Sequence, residues 1–105
     1  MLGLFNYIFG GIVMKKFKLG QTVVTRAINE RMKEDSGFQD FVKKSLSRYI
    51  NRDWGDTCPE DARANDEAVR EGERVLAVYI YKGETIWIIT EWDRSVTTIL
   101  FPSDY

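Results

Sequence analysis

The stretch "RVLAVYIYKGETIWIITEWDRSVTTILF", residues 74–101, decides the fold of this chain. It contains three apolar runs, 74–81, 85–92 and 96–101, each of strand length and rich in β-branched and aromatic residues. The breaks between them are short and polar, "KGE" in the first case and "DR" in the second, which predicts an antiparallel meander. Large residues occupy both faces of the runs. We therefore expect helices to cover one face of the sheet and the other face to be partly sheltered or adhesive.

Upstream of these runs the hydrophobic period changes to that of helices. Residues 36–53 carry apolar side chains at i, i+3, i+4, i+8, i+11 and i+12 counted from Phe38, which predicts an amphipathic helix capped by Asp35 or Ser36. A short strand over 22–25 and a helical turn precede this helix, and a polar helix over 58–73 follows it. The sequence thus predicts an α+β domain in which an antiparallel sheet of about four strands, in the order β-α-α-α-β-β-β, packs against helices.

The first thirteen residues are uncharged and apolar, and Lys15, Lys16 and Lys18 follow them. This run is too short for a membrane-spanning helix, and its positive charges follow the apolar residues, whereas a secretion signal has them first. Met14 offers a second start site. We interpret 1–13 as an N-terminal extension upstream of the usual start, either disordered or lying against the protein, and 14–105 as a single α+β domain.

Composition narrows the class of function. The 105 residues, 44% of them hydrophobic, are enough for one core, and they include one cysteine and no histidine. Ser-His and Cys-His nucleophiles, histidine-bound zinc and internal disulfides are therefore excluded. Gly-rich phosphate loops and hydrolase signatures are absent from the sequence. We expect a cytoplasmic protein that is not an enzyme and has neither a membrane partner nor a small-molecule substrate.

Charge is distributed unevenly along the chain. Residues 1–55 carry ten Lys or Arg against five Asp or Glu, a net +5, whereas 56–105 carry five against eleven, a net −6. Such a chain could offer a basic face to nucleic acid or an acidic face to a basic protein, or the two halves could neutralise each other. The side chains available for phosphate contacts are Lys15, Lys16, Lys18, Arg26, Arg31, Lys43, Lys44 and Arg48.

The segment "DWGDTCPED", residues 53–61, is the densest in chemistry. Thr57 and Glu60 match the spacing of a capping box, in which each side chain binds the other's backbone amide. Pro59 suits a first helical turn, and Asp61 suits the positive end of a helix dipole. Cys58 fits a small buried residue better than a nucleophile, because the acids on both sides raise a thiol pKa. These features indicate a helix start.

Two other interpretations of the same segment stay open. Asp53, Asp56, Glu60 and Asp61 could hold a divalent cation through oxygen ligands, or act as paired carboxylates in a hydrolase. The two exposed tryptophans that we expect, Trp54 and Trp92, could anchor a protein interface, or pack against the third helix.

Four segments carry a family resemblance: "FKLGQTVVTRAINERM", "RDWGDTCPEDARAND", "GERVLAVY" and "IWIITEWDRSVTTILFPSDY". They resemble a family of small bacterial proteins found on phages, plasmids and other mobile elements. Members carry loose labels such as plasmid-related protein or subunit M of a type I restriction enzyme. The resemblance covers 17–105. The second label does not fit, since the chain is too short for a methyltransferase domain and lacks a Gly-rich cofactor loop.

The resemblance implies an anti-CRISPR protein of a bacterial host's cytoplasm. It would be a stoichiometric inhibitor without catalytic residues or cofactor, whose partner is a type II CRISPR effector nuclease, alone or with its guide RNA. The alternatives are a nucleic-acid-associated accessory protein of a mobile element and the metal-binding protein or hydrolase described above. The interaction residues that we predict are Asp53, Trp54, Asp56, Glu60, Asp61, Asp66, Trp92, Asp93 and Arg94.

Overall fold

The computed structural model describes residues 17–105 and the backbone of two earlier strands. Those strands, β1 (Asn6–Phe9) and β2 (Ile12–Lys15), pair antiparallel with each other. The elements that follow are β3 (Gln21–Val24), α1 (Arg26–Glu34), α2 (Ser36–Ile50), α3 (Pro59–Glu71), β4 (Val75–Tyr81), β5 (Glu84–Thr90), β6 (Val96–Leu100) and a 3-10 turn (Pro102–Asp104). The α+β class and the order β-α-α-α-β-β-β from β3 onward are confirmed. The interpretation of 1–13 as an extension falls largely outside the described residues and stays a prediction.

The larger sheet has the strand order β3-β6-β5-β4. β4, β5 and β6 form the antiparallel meander expected from their short connections. β3, however, pairs parallel with β6, from Gln21 opposite Val96 to Val24 opposite Ile99. The expectation of a wholly antiparallel sheet is therefore wrong at this edge. Three helices lie between β3 and the meander, which is a connection long enough to bring the chain back for parallel pairing.

Capping side chains fix where the first two helices begin. Asp35 accepts hydrogen bonds from the amides of Gly37 (2.9 Å) and Phe38 (3.2 Å), so it caps α2 as predicted. Thr25, which we expected in the first strand, accepts from the amide of Ile28 (3.3 Å) and caps α1, so β3 ends one residue earlier. No helix in the described part of the chain is both long and apolar enough to cross a membrane.

The core lies between the helices and one face of the larger sheet. Helical side chains such as Ile28, Phe38 and Tyr49, each fully buried, pack against that face. The strand residues of this core are Val75, Ala77, Tyr79, Ile86, Ile88 and Ile99. Alternate strand positions therefore hold the core, and the positions between them belong to the opposite face.

A chain of buried hydroxyl groups crosses this core. Tyr49 Oη lies 2.7 Å from Thr90 Oγ1, which lies 2.7 Å from Thr97 Oγ1, and the Thr97 hydroxyl donates to the Leu19 carbonyl oxygen (2.7 Å). Because a hydroxyl has one proton, Thr97 must accept from Thr90, and Thr90 must accept from Tyr49. Burial raises the pKa of Tyr49 well above its usual range, which keeps this phenol protonated as the donor.

Thr97→Val is expected to destabilise the protein more than Tyr49→Phe. The valine leaves the Leu19 carbonyl without its donor and the Thr90 hydroxyl without its acceptor, at a cost of about 2–3 kcal/mol in the free energy of unfolding. Tyr49→Phe removes only the terminal donor and should cost about 1 kcal/mol. Urea denaturation followed by tryptophan fluorescence measures both, and a smaller loss for Thr97→Val would contradict the chain of donors.

Candidate functional site

Residues 53–61, which we call the acidic segment, contact the outer edge of β4 through residues 55–57. The Asp56 amide donates to the Val78 carbonyl (2.7 Å), and the Asp56 carboxylate accepts from the Ile80 amide (2.9 Å). Thr57 Oγ1 accepts from the Val78 amide (2.9 Å), and Gly55 forms a parallel bridge to Val78. The segment therefore hydrogen-bonds to the strand edge in the manner of a further short strand.

Asn65 of α3 hydrogen-bonds to the same edge of β4, at Leu76. Its side-chain amide donates to the Leu76 carbonyl (2.9 Å), and its side-chain oxygen accepts from the Leu76 amide (3.3 Å). Asn65 is buried, which is unusual for an amide unless its hydrogen bonds are satisfied. Our sequence interpretation did not include this residue, because nothing in the helical pattern indicates that a polar side chain faces the sheet.

The expected capping box is wrong. The Thr57 hydroxyl donates to the Trp54 carbonyl (2.5 Å) and binds β4, so it does not cap α3. The N-cap residue is Cys58, which makes no side-chain cap hydrogen bond and is exposed, contrary to the expectation that it is buried. Pro59 in the first turn of α3 is as predicted, as are its two acidic neighbours.

Asp53 is also held by the fold. Its carboxylate accepts two hydrogen bonds from the Arg48 guanidinium (2.8 and 3.0 Å) and one from the Gly55 amide (3.1 Å). The Arg48 hydrogen bond holds the pKa of Asp53 below its usual range. The Asp53 carbonyl accepts from the Tyr79 phenol (2.7 Å). Asp53 and Asp56 are exposed, as expected, but the carboxylates of both accept hydrogen bonds from other parts of this chain.

Trp54 is buried, with 6% of its surface exposed. Its ring packs edge to face against Phe17 and Tyr49, with centroid distances of 5.9 and 5.4 Å. Its indole N–H donates to the Asp66 carboxylate on α3 (2.9 Å). The expectation of an exposed anchor at Trp54 is wrong, and the alternative of packing against the third helix is right.

The four carboxylates proposed as metal ligands do not form a cluster. Within residues 17–105, no group of three or more acidic or cysteine side chains is arranged to hold a metal ion. Asp53 binds Arg48 and Asp56 binds the edge of β4, while Glu60 and Asp61 lie in the first turn of α3. The geometry therefore does not favour the metal or hydrolase alternative.

Arg94 attaches the turn between β5 and β6 to the C-terminal end of α3. Its guanidinium donates to the carbonyl oxygens of Ala68 (2.9 Å), Glu73 (2.7 Å) and Glu91 (3.1 Å), and lies 5.7 Å from the ring centroid of Phe17. A cation here also suits the negative end of the helix dipole. Arg94 thus makes several hydrogen bonds within the chain, and its contact with a partner stays a prediction.

This attachment brings an exposed tryptophan to the end of an acidic helix. Trp92, in the turn, is 67% exposed, as expected, and Asp93 beside it is exposed. The exposed acids of α3 form no ion pair with any described residue. We define the acidic helix surface as Glu60, Asp61, Glu67, Glu71, Trp92 and Asp93.

All three arginines proposed for phosphate contacts are already ion-paired. The pairs are Arg26–Glu30, Arg31–Glu84, Arg31–Asp35 and Arg48–Asp53, at N–O distances of 2.8–3.2 Å. Lys18, Lys43 and Lys44 are exposed and form no ion pair within the described part of the chain. The side chains of Lys15 and Lys16 lie outside the described residues.

Comparisons of the chain with protein-family models, curated proteins and solved structures find no match. The resemblance to the mobile-element family therefore stays a prediction from the sequence. Function is inferred from that resemblance and from the chemistry of the surfaces described above.

Proposed function

We propose that this protein is an anti-CRISPR inhibitor, without enzymatic activity, that binds a type II CRISPR effector nuclease and blocks cleavage of target DNA. The acidic helix surface is the part of this protein that contacts the nuclease. The observation that carries the proposal is the position of exposed Trp92 next to a helix whose exposed acids form no ion pair with any described residue. The sequence resemblance supplies the class of partner.

The chemistry of this surface suits a basic protein partner. Tryptophan is the residue most enriched among interface anchors, because it buries a large rigid area when it enters a pocket. Acids around such an anchor complement the positive channels in which effector nucleases hold guide RNA and target DNA. Glu67 and Glu71 can dock there without first breaking an ion pair to a described residue. Because the net charge of the whole chain is only −1, the contact is local and does not imitate a DNA duplex.

The accessory-protein alternative is less well supported. Phosphate binding by Arg31 or Arg48 would compete with two well-formed guanidinium–carboxylate contacts, each with two N–O hydrogen bonds. Of the eight side chains proposed for phosphate contacts, only Lys18, Lys43 and Lys44 are exposed on the described surface without an ion pair to a described residue, which is a small footprint for a nucleic-acid binder.

The test combines capture and cleavage with variants of the surface. The purified chain should capture a type II effector nuclease, offered with and without guide RNA. It should abolish target cleavage once its molar concentration equals that of the nuclease. Trp92→Ala combined with Glu67→Lys and Glu71→Lys should raise the dissociation constant about thirtyfold or more, because it removes an anchor and reverses two charges. Glu34→Lys, which changes an exposed acid on α1, is the matched control and should leave inhibition unchanged.

Three results would contradict the proposal. The first is absence of both capture and inhibition. The second is capture that the triple variant does not weaken, which would place the contact on another surface. The third is binding of DNA or RNA by the chain alone, falling steeply with salt, which would favour the accessory protein.

A further inference from the structure

The turn that carries Trp92 has an arginine at the position where glycine is favoured. The Arg94 amide donates to the Glu91 carbonyl (2.9 Å), which closes a four-residue turn around Trp92 and Asp93. Arg94 has φ = 60°, the left-handed conformation that ends many hairpin turns of this kind and suits glycine best. An arginine here therefore has a backbone cost that a glycine would avoid.

The Arg94 side chain offsets that cost through its hydrogen bonds. Nη2 donates to the Ala68 carbonyl in the last turn of α3 (2.9 Å), and Nη1 donates to the Glu73 carbonyl just beyond that helix (2.7 Å). Nη1 also donates to the Glu91 carbonyl within its own turn (3.1 Å). Hydrogen bonds from a charged donor are stronger than those between neutral groups. One guanidinium thus joins the turn to the end of the helix.

The other side chains of the turn do not make this connection. The Asp93 carboxylate accepts from the Ser95 amide (3.0 Å), which shapes the turn from within. Of the described side chains in residues 91–95, Arg94 is the one that hydrogen-bonds to α3. Its guanidinium is half-buried and lies 5.7 Å from the ring centroid of Phe17, so it is also anchored at the core.

We propose that Arg94 is a positioning residue for the acidic helix surface. It holds the turn so that Trp92 and the acids Glu67 and Glu71 of α3 meet the nuclease as one preformed surface. This inference rests on the proposed function. Parts of a surface that are ordered before binding do not lose their freedom when the partner arrives, so a fixed turn raises affinity without a new contact. Arg94 acts through Trp92 and not by touching the nuclease.

The motion of the turn in the free protein tests the first part of the proposal. Arg94→Gly removes the guanidinium and suits the left-handed backbone, so circular dichroism should show an intact fold. NMR relaxation of the Trp92 and Asp93 amides should give order parameters of about 0.85 in the unchanged chain and below about 0.6 in Arg94→Gly. Lys82→Gly is the matched control, because Lys82 also has positive φ (48°) but lies at the other end of β5. It should leave both amides unchanged.

Binding to the nuclease tests the second part. In a chain that keeps Trp92, Arg94→Gly should raise the dissociation constant about tenfold, because the turn must then be ordered on binding. In a chain that carries Trp92→Ala, the same change should raise it by less than about twofold, since no anchor remains to be positioned. Arg94→Lys keeps the charge but loses the planar fork, and it should give an intermediate loss. It carries the test if Arg94→Gly does not fold. Lys82→Gly should bind as the unchanged chain does.

Three outcomes would overturn the proposal. The first is a turn whose amides stay rigid in Arg94→Gly. The second is an equal loss of affinity with and without Trp92, which would mean that Arg94 touches the nuclease itself. The third is the same loss in Lys82→Gly, which would not depend on the connection to α3. Failure of the unchanged chain to capture the nuclease would instead contradict the proposed function, and the relaxation measurement would still decide whether Arg94 holds the turn.

Discussion

Gly55→Ala is expected to cost about 4 kcal/mol or more of the free energy of unfolding, the combined cost of a left-handed backbone and an overpacked core. Gly55 has φ = 64°, and a methyl group there would overlap the ring of Tyr79 and lie 2.7 Å from the Val78 carbonyl oxygen. Tyr79 cannot move aside easily, since it is fully buried and its phenol donates to the Asp53 carbonyl.

Gly83→Ala provides the matched control. Gly83 also has positive φ (81°), but a methyl group there would meet nothing within 4 Å, so only the backbone cost of about 1–2 kcal/mol applies. Urea denaturation of both variants separates the two contributions. Equal losses would show that the close approach of Gly55 to β4 is unimportant.

Trp54→Ala is expected to lose about 3–5 kcal/mol, the usual cost of removing a large aromatic side chain from a core. The indole fills the space between Phe17, Tyr49 and α3. Trp54→Phe keeps part of that packing and loses the hydrogen bond to Asp66. Because Asp66 is exposed and water can replace the lost donor, the phenylalanine variant should lose about 1–2 kcal/mol.

Thermal denaturation followed by circular dichroism measures both Trp54 variants. Trp92→Ala is the comparison, since a side chain that is 67% exposed should change stability by no more than about 0.5 kcal/mol. If Trp54→Ala were no more destabilising than Trp92→Ala, the buried position of Trp54 would be contradicted.

The hydrophobic period predicted the elements but not the direction of every strand. The amphipathic helix α2, its Asp35 cap and the three-strand meander follow from local patterns, which act over a few residues. The parallel pairing of β3 with β6 does not, because side chains alternate between faces in the same way whichever direction the neighbouring strand takes.

The acidic segment shows why the site was harder to predict. Thr57 and Glu60 have the spacing of a capping box, and that local pattern gives no sign of the competing donor on β4, the Val78 amide, which is distant in sequence. The tertiary contact is favoured because it gives the partly buried Val78 amide, at the edge of the sheet, an acceptor. Arg94 likewise has the sequence context of an ordinary turn, and only the packing of that turn on α3 gives it three carbonyl acceptors.

The parallel pairing of β3 also has a consequence for synthesis on the ribosome. β6 lies inside the sheet, between the earliest strand of that sheet and β5, although it is made after all of them. Until β6 leaves the exit tunnel, β3 has no neighbour in this sheet and the hydroxyl chain lacks Thr97. Until then, the apolar sides of α2, β4 and β5 in the nascent chain are only partly buried. We expect the larger sheet to form only after β6 has been made, and folding to be slower than that of a helical protein of equal length.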